Sequence, residues 1–348
     1  MRSKWSWRTM LVAVLVALLG SVILPSPAHA VTTFGGEATG VWVFVPATGL
    51  IIKVTTGQIP ASGGEVEASL LSGDIPSGAT GGNVALSTGT LHSVGVGLDD
   101  TDAIASQANV NLTVSGNGIT SDFLTAWSNA SCAAGPMVLG GMTVENLVIN
   151  GQPIFVTGAP NQTVSLPNGT AVINEQTSSI VGTTGELSVT ALHVTTRDTL
   201  TGQLLAEVKL GIGDAQIDCA PGSPPAGAAT SGGGWITLSS GGKGTFGMIG
   251  GTQPAGGTMG HFVYINHDTG LAVQSTSVGT FNAGCTSFLS GSGTSGSGPV
   301  DFTVQVTDNG EPGSADTISI TISGAASDSQ GPSTLGGGNI KVHRPHCP

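Results

Sequence analysis

The fold is decided by residues 300–323, VDFTVQVTDNGEPGSADTISITIS, where two alternating runs flank a polar connection. In each run three apolar residues share one side, because alternate residues of a strand face the same way. These residues are Phe302, Val304, Val306, Ile318, Ile320 and Ile322. The connection contains Asn-Gly and Pro-Gly pairs, which favour turns. The stretch therefore predicts a β-hairpin with one buried face.

Similar short runs occur along the whole chain, separated by turn-forming pairs such as Asn-Gly. They predict strands at residues 41–45, 50–55, 84–96, 108–114, 143–149, 170–173, 186–195 and 204–212. Many short strands divided by turns are typical of antiparallel all-β proteins. We therefore predict an all-β fold of two sandwich-like antiparallel modules.

Two stretches depart from simple alternation. In residues 186–195 the apolar positions change phase after Ala191, which indicates a bulge. Residues 122–127 favour a short helix, because Phe123 and Trp127 are four residues apart and would share a helix face.

The N-terminal 30 residues have the three-part pattern of a secretory signal peptide. A basic start (Arg2, Lys4, Arg8) precedes an apolar core at residues 11–24, and a small-x-small site ends at Ala30. The apolar core is shorter than the roughly 20 residues that a membrane-spanning helix needs. We expect export, with a mature chain from Val31 and no integral membrane segment after cleavage.

The expected mature chain has 318 residues, which favours two domains. Residues 31–219 form the predicted first module and residues 232–348 the second. The stretch between them, residues 220–231 (APGSPPAGAATS), has the Pro, Gly and Ser content of a linker.

Charge limits the classes of partner. Six basic and 21 acidic residues remain beyond residue 30, a formal net charge of −15. Nucleic acids and anionic membranes select clustered Lys and Arg, so neither is an expected partner. Charged residues make up only 9% of the chain, against about 25% in typical domains, and Gly, Ser and Thr take their place. Exposed faces rich in hydroxyl groups are therefore expected.

Four cysteines in an exported chain suggest disulfides, and three connectivities are possible. We predict Cys132–Cys219 and Cys285–Cys347, one bond in each module. Free or intermolecular thiols are the alternative. None of the cysteines belongs to a CxxC pair, so a zinc knuckle or thioredoxin-type site is not expected.

Several ordered segments resemble a known family. FGGEATG (34–40) and TTGELSVTALHV (183–194) are similar to the choice-of-anchor P domain of bacterial surface and secreted proteins. GGGWI, GKGTFG, GHFVYINHDTGL, VTDNGEPGSADTISITI and TLGGGNIKVHRP are similar to the small domain that often follows it. The resemblance implies an exported bacterial protein, and it supplies no catalytic residues. The family's C-terminal anchors have no counterpart in HRPHCP, so we expect release into the medium or loose retention at the cell surface.

Calcium is the metal that the sequence favours. The hairpin connection holds Asp308, Asn309, Glu311 and Asp316, whose oxygens are of the type that calcium prefers. A second acidic turn contains Asp99, Asp100 and Asp102. Neither turn has EF-hand spacing, and Asp and Asn also favour turns without any metal.

Catalytic patterns are weak. No histidine lies near a G-x-S-x-G motif. His261 and His267 have the same parity and would need His343, His346 or Asp268 to complete a zinc or copper site; polar strand and turn residues are the alternative. Carboxylates for glycoside hydrolysis are present but cannot be placed. They are Glu65, Glu67, Glu145, Glu175, Glu186 and Glu207. Only Trp42, Trp127 and Trp235 remain for sugar stacking, and Trp42 is expected in the core.

These observations favour a non-catalytic exported protein with a structural, adhesive or interaction role. Its expected partners are cell-wall or extracellular polymers or proteins. A secreted hydrolase or carbohydrate-binding protein is the alternative, and acidic or Trp side chains that converge in one cleft would favour it.

Overall fold

The computed structural model describes residues 32–132, 135–219, 227–252 and 257–343. These residues are almost entirely antiparallel strand, with no α-helix among them and a single short 3-10 turn at Ser77–Thr80. The all-β prediction is confirmed. The described residues belong to one compact unit.

The described residues form 23 strands. They are β1 (Thr33–Val45), β2 (Leu50–Thr55), β3 (Gly64–Leu70), β4 (Gly73–Ile75), β5 (Val84–Thr88), β6 (Leu91–Gly97), β7 (Asp100–Val114), β8 (Asn117–Cys132), β9 (Pro136–Glu145), β10 (Val148–Ile149), β11 (Gln152–Pro153), β12 (Gln162–Leu166), β13 (Gly169–Val181), β14 (Thr184–Arg197), β15 (Leu204–Asp218), β16 (Ala228–Thr237), β17 (Lys243–Thr252), β18 (Thr258–Asn266), β19 (Leu271–Asn282), β20 (Thr286–Ser295), β21 (Gly298–Thr307), β22 (Thr317–Gly324) and β23 (Asp328–Val342).

The strands form two sheets and a barrel. A six-stranded sheet has the order β12-β13-β14-β15-β1-β2. A nine-stranded sheet follows the path β11-β10-β8-β7-β5-β4, with β9 added beside β8 and the β3–β6 pair joined through β7. The last eight strands, β16 to β23, close into a barrel in sequential order.

The two sheets face each other across one core. Val43 and Leu210 of the six-stranded sheet pack in the same apolar cluster as Leu112 and Ile119 of the nine-stranded sheet. Each strand contributes alternate side chains to this core, as period-two patterning requires. Both sheets therefore contribute side chains to a single apolar core.

The hairpin at residues 300–323 is confirmed. β21 and β22 pair so that Phe302 faces Ile322, Val304 faces Ile320 and Val306 faces Ile318. All six side chains are buried in the barrel interior. The second module was predicted as a sandwich, and its strands instead close on themselves, because β23 pairs with both β22 and β16.

The helix predicted at residues 122–127 is wrong. These residues lie within β8, and Phe123 pairs with Ala108 of β7. A spacing of four puts Phe123 and Trp127 on one face of a strand as well as of a helix, and both are buried. The strand predicted at 84–96 is two strands, β5 and β6, divided at Gly89 and Thr90.

The phase change in β14 belongs to a line of kinks that crosses the six-stranded sheet. Ala191 lies opposite Gly211 of β15 and Asn174 of β13, whose φ angles are 60° and 55°. Gly40 of β1 continues the line. The pairing register between these strands is the same on both sides of Ala191, so no residue is inserted as a bulge would require. Gly211 and Asn174 have left-handed φ angles, and the buried face of β14 changes beside them. Val189 and Leu192, an odd number of residues apart, are therefore both buried.

The barrel packs against the nine-stranded sheet through a face rich in glycine. Gly247 of β17 lies directly against the His92 ring, where a Cβ would clash, and Gly233 of β16 lies against Ser106. Ile249 and Trp127 belong to an apolar cluster that includes both parts of the chain. The GGG of the GGGWI segment is therefore explained by close backbone approach.

One predicted disulfide is present, Cys132–Cys219, which joins the ends of β8 and β15. The other prediction, Cys285–Cys347, has one end outside the described residues. Most of the predicted linker, residues 220–226, also lies outside them. β16 begins at Ala228, so the last four linker residues, 228–231, belong to a strand instead.

Candidate functional site

The outer face of the six-stranded sheet carries a polar groove, which we call the outer trough. One part of it, of about 330 Å³, is lined by Glu37, Trp42, Lys53, Glu175, Lys209 and Asp214. A second part of about 270 Å³ continues it and shares Thr177, Ser188 and Asp214. Charged side chains are scarce in this protein, so their gathering on one face is informative.

The line of kinks explains why these side chains meet. On one side of the line, Lys53, Trp42 and Lys209 lie next to one another on β2, β1 and β15. On the other side, Glu37 pairs with Asp214. Trp42 and Glu37 differ by an odd number of residues and would face opposite ways in a regular strand. The pairing of β1 with β2 shifts register between Thr39 and Val41, and both Glu37 and Trp42 line the trough.

His193 holds two carboxylates beside the trough. Its Nδ1 lies 2.8 Å from Glu175 Oε2, and its Nε2 lies 2.9 Å from Glu207 Oε1. Glu175 lines the trough, whereas Glu207 also lies 3.8 Å from the Lys209 ammonium group. The predicted hydrolytic carboxylates Glu175 and Glu207 therefore converge, and one imidazole ties them together.

Within the trough, Glu37 is held by a lysine and by a hydroxyl group. Lys53 donates to Glu37, and the Thr55 hydroxyl lies 3.1 Å from the other Glu37 oxygen. Burial, opposed by a hydrogen bond from Ser188, raises the pKa of Asp214, and the negative charge of Glu37 adds to the rise. Asp214 therefore takes up a proton more readily than an aspartate in water does.

Trp42 was expected in the core, and this expectation is wrong. Its neighbours Val41 and Val43 are buried, so alternation directs Trp42 to the outer face. Its ring lies 6.3 Å from that of Phe44, and the Lys209 ammonium group lies 5.7 Å from its centre. The ring is half-buried and stands at one end of the trough.

A second polar group is buried where the barrel meets the nine-stranded sheet. We call it the junction cluster, and it consists of Asp100, Asn129, Ser231, Lys341 and His343. His343 Nδ1 lies 3.1 Å from Asp100 Oδ1, and His343 Nε2 lies 3.1 Å from the Ser231 hydroxyl. Lys341 and Asn129 lie 3.2 and 2.6 Å from the other Asp100 oxygen.

Ser231, His343 and Asp100 have the order of contacts found in a catalytic triad. Burial alone would lower the pKa of His343, but the hydrogen bond and charge of Asp100, with the charge of Asp102, raise it. A protonated imidazole donates from both nitrogens and cannot take the serine proton. Ser231 and His343 are each only 1% exposed. This geometry supports an ion-pair lock between the two parts of the chain.

Attraction between Asp100 and the basic groups around it sets the charge state of the junction cluster. Burial works against ionisation of Asp100, yet the hydrogen bond from His343 and the charges of His343 and Lys341 hold its pKa well below the usual range. Burial raises the pKa of neighbouring Asp102. Glu311 lies 3.6 Å from Lys341, and burial together with the charge of Asp102 raises the pKa of Glu311 to about 7.

A neighbouring group of histidines is also buried at this junction. Ser69 lies 2.6 Å from His92 Nδ1, and Ser275 lies 3.1 Å from His261 Nδ1. Glu67 Oε1 lies between the rings, 3.9 Å from His92 and 3.8 Å from His261. Burial, with the charge of His261, lowers the pKa of His92 to about 3. His92 is therefore neutral at ordinary pH.

The loop predicted to bind calcium has other hydrogen-bond partners. The two Asp316 oxygens accept from the backbone N–H groups of Asn309 and Ile340, at 2.8 and 2.9 Å. Asp308 accepts from Gly310 and Val342, both at 2.9 Å. These contacts tie the loop to β23, a role that the hairpin itself explains. Calcium at this loop stays a prediction.

The two histidines considered for zinc or copper, His261 and His267, have separate hydrogen-bond partners. His261 contacts Ser275, whereas His267 lies 3.0 Å from Thr245 and 3.2 Å from Asn109. Across the part of the chain that the structure describes, no three His, Cys, Asp or Glu residues gather as metal ligands. His343 belongs to the junction cluster, and His346 lies outside the described residues.

The remaining predicted carboxylates occupy separate places. Glu65 and Glu67 lie at the junction, and burial raises the pKa of Glu65 to about 7. Glu145 accepts from the Trp235 indole and the Lys243 ammonium group, at 2.7 and 2.8 Å. Glu186 lines the second part of the outer trough. The other acidic turn proposed for calcium supplies Asp100 and Asp102 to the junction.

Comparisons with known proteins add little. No family model matches the chain, and no curated protein matches it. A crystal structure from Nitrosomonas europaea, provisionally described as AttH, aligns with 92% of this chain and 96% of its own at 10% identity and a TM-score of 0.22. A score this low carries no conclusion about fold or function. Within the described ranges, no helix has the length and apolar character needed to cross a membrane.

Proposed function

We propose that this is an exported bacterial protein with a non-catalytic structural, adhesive or interaction role. It would bind a cell-wall or extracellular polymer or protein through the outer trough. The observation that carries the proposal is the trough itself. Two of the six basic residues beyond residue 30, Lys53 and Lys209, line it together with Trp42 and several carboxylates. A surface that gathers rare side chains is a better binding candidate than the Gly/Ser/Thr-rich remainder.

Export is supported by two features. The N-terminal 30 residues have the signal-peptide pattern described above. The Cys132–Cys219 disulfide is of a kind that persists in oxidising compartments outside the cytosol. We infer secretion into the medium or loose association with the cell surface.

The two-module organisation belongs to the same proposal. Residues 31–219 and 232–348 would correspond to the choice-of-anchor P domain and to the small domain that follows it. Separate apolar cores, one between the two sheets and one inside the barrel, support the division. The shared cluster around Trp127 and Ile249 implies that the modules are firmly attached rather than loosely tethered.

A hydrolase is the second candidate, and one observation favours it. The trough brings Asp214, whose pKa is raised by burial, beside the Glu37 carboxylate. Glycosidases use two carboxyl groups in this way. We rank hydrolysis second because Glu37 is held by Lys53 and Thr55, and Glu175 by His193.

The binding role can be tested by co-sedimentation of the full chain with insoluble peptidoglycan, cellulose and collagen-coated beads. We expect retention on at least one surface, and its loss in Trp42→Ala. Leu200→Ala is the control, since Leu200 is 94% exposed and is not among the trough-lining residues. Absence of retention on every surface would contradict the proposal. New reducing ends released from cellulose would instead favour hydrolysis.

A further inference from the structure

We propose that the outer trough binds an extended, uncharged glycan chain rich in hydroxyl groups. The inference rests on the binding role proposed above and names the class of ligand. Four features of the trough support it: its length, its hydrogen-bonding groups, its aromatic end and its charge.

The trough is long enough for a chain molecule. Its two parts run along β15 from Lys209 to Gln216 and share a middle formed by Thr177, Ser188 and Asp214. The seven steps from Lys209 to Gln216, at about 3.4 Å each in an antiparallel strand, give about 24 Å. A groove of this length suits an extended ligand better than a compact one.

The lining matches a ligand that both donates and accepts hydrogen bonds. Thr177, Ser178 and Ser179 of β13 are exposed, and Ser188 of β14 is half-exposed beside them. Serine and threonine hydroxyls can donate and accept, whereas carboxylates only accept and ammonium groups only donate. Sugar hydroxyls can satisfy all three kinds of group at once.

The aromatic end offers a place for a sugar ring. Trp42 stands on the outer face, with Phe44 beside it and Lys209 above part of its ring. These neighbours restrict the ring, so that little conformational entropy is lost when a ligand packs on it. A sugar presents C–H groups on one face, and such a face can pack on an indole. Polar groups then continue from Trp42 along the trough.

Charge argues against a polyanion. The trough lining contains Glu37, Glu175, Glu186 and Asp214, against two lysines. Each lysine already has a carboxylate nearby, Lys53 with Glu37 and Lys209 with Glu207. Polyphosphates and sulfated or nucleic-acid polymers would meet a net negative surface and be repelled. An uncharged glycan meets no such barrier.

The test is affinity electrophoresis of the full chain in native gels that contain dextran, laminarin, xylan or heparin. We expect retardation by at least one of the three neutral glycans and none by heparin. Trp42→Ala should weaken that retardation about tenfold, as loss of one aromatic stacking contact predicts. Asp214→Asn should weaken it less, and Leu200→Ala should leave it unchanged.

Two results would overturn the inference. One is retardation that is equal in wild type and Trp42→Ala; the other is retardation by heparin alone. The proposed binding role is tested separately, by the co-sedimentation experiment. Retention on peptidoglycan or collagen that depends on Trp42, without retardation by any neutral glycan, would leave the binding role intact and reject the glycan. Absence of both would reject both.

Discussion

The outer trough and the junction cluster are both built from charged and hydroxyl-bearing side chains, but different surroundings give them different uses. Lys53 in the trough is 40% exposed at its side chain, whereas the His343 side chain in the junction is fully buried. In the junction every charge faces an opposite charge, and Ser231 completes the row of contacts. In the trough several hydroxyl groups face solvent. Burial and charge state, rather than residue type, separate a structural lock from a binding surface.

The largest effect should come from breaking the junction. Asp100→Asn removes the carboxylate that faces both Lys341 and His343, and leaves Glu311 as the carboxylate near Lys341. We expect a loss of about 3 kcal/mol in the free energy of unfolding. Urea denaturation measures it.

Asp301→Asn is the matched control for that loss. Asp301 is exposed on β21, with Ser292 2.9 Å away, so this substitution should cost less than about 0.5 kcal/mol. Equal effects of the two substitutions would show that the junction is not a lock.

The kink that forms the trough is the next target. Gly211→Ala places a methyl group 2.9 Å from Leu124 Cδ1 at a φ of 60°, so we expect a loss of about 2 kcal/mol. Gly182→Ala separates the two causes, because Gly182 has a φ of 61° and open space around it. It should cost about 1 kcal/mol. If Gly182→Ala lowers the free energy of unfolding as much as Gly211→Ala does, then the contact with Leu124 contributes nothing to the loss.

These positions also show which features of the fold can be predicted from the sequence. The hairpin at residues 300–323 could be predicted because alternation and turn residues are local signals. The phase change at Ala191 could also be predicted from the sequence. The line of irregular residues across the sheet could not, because Gly211, Asn174 and Gly40 belong to other strands. The trough follows from their alignment across four strands.

The junction cluster could not be predicted from sequence. Asp100 and His343 are 243 residues apart, and Ser231 lies 112 residues from His343. No short motif links such positions. The glycines of GGGWI were a local signal, yet close packing against another sheet appears only when β16 and β6 are placed together. The predicted helix at 122–127 failed because a spacing of four fits a strand face equally well.

The pH dependence of the junction should be smaller but diagnostic. Burial raises the pKa of Glu311 from 4.5 to about 7, so the folded state binds this proton more tightly than the unfolded state. That stability is present below pH 4.5 and lost as pH rises through 7. Glu311→Gln should thus be nearly neutral at pH 5 and stabilising by about 1 kcal/mol at pH 8, after allowance for partial exposure.

Thermal unfolding at both pH values measures the difference between wild type and Glu311→Gln. A variant that is more destabilised at pH 8 than at pH 5 would mean that the ion pair with Lys341 outweighs the burial of Glu311. Glu186→Gln in the trough is the comparison, because Glu186 is exposed, and this substitution should change the free energy of unfolding by less than about 0.5 kcal/mol.

The smallest effect on stability should come from the trough surface. Trp42→Ala removes a half-buried ring from the outer face, and we expect less than about 1 kcal/mol. Binding should fall although the fold is retained. Circular dichroism and urea denaturation check the fold, and co-sedimentation checks the binding. A loss of 3 kcal/mol or more would place Trp42 among the structural residues instead.

Carboxyl footprinting with carbodiimide and an amine, read by mass spectrometry, tests the contrast between the two regions most directly. In the free protein, Glu175 and Glu186 should be labelled readily, whereas Asp100 should react at least about tenfold more slowly because it is buried and ion-paired. Addition of the glycan that retards the protein should protect the trough carboxylates and leave Asp100 unchanged. Labelling of Asp100 at the rate of Glu186, or no protection of the trough, would contradict the account.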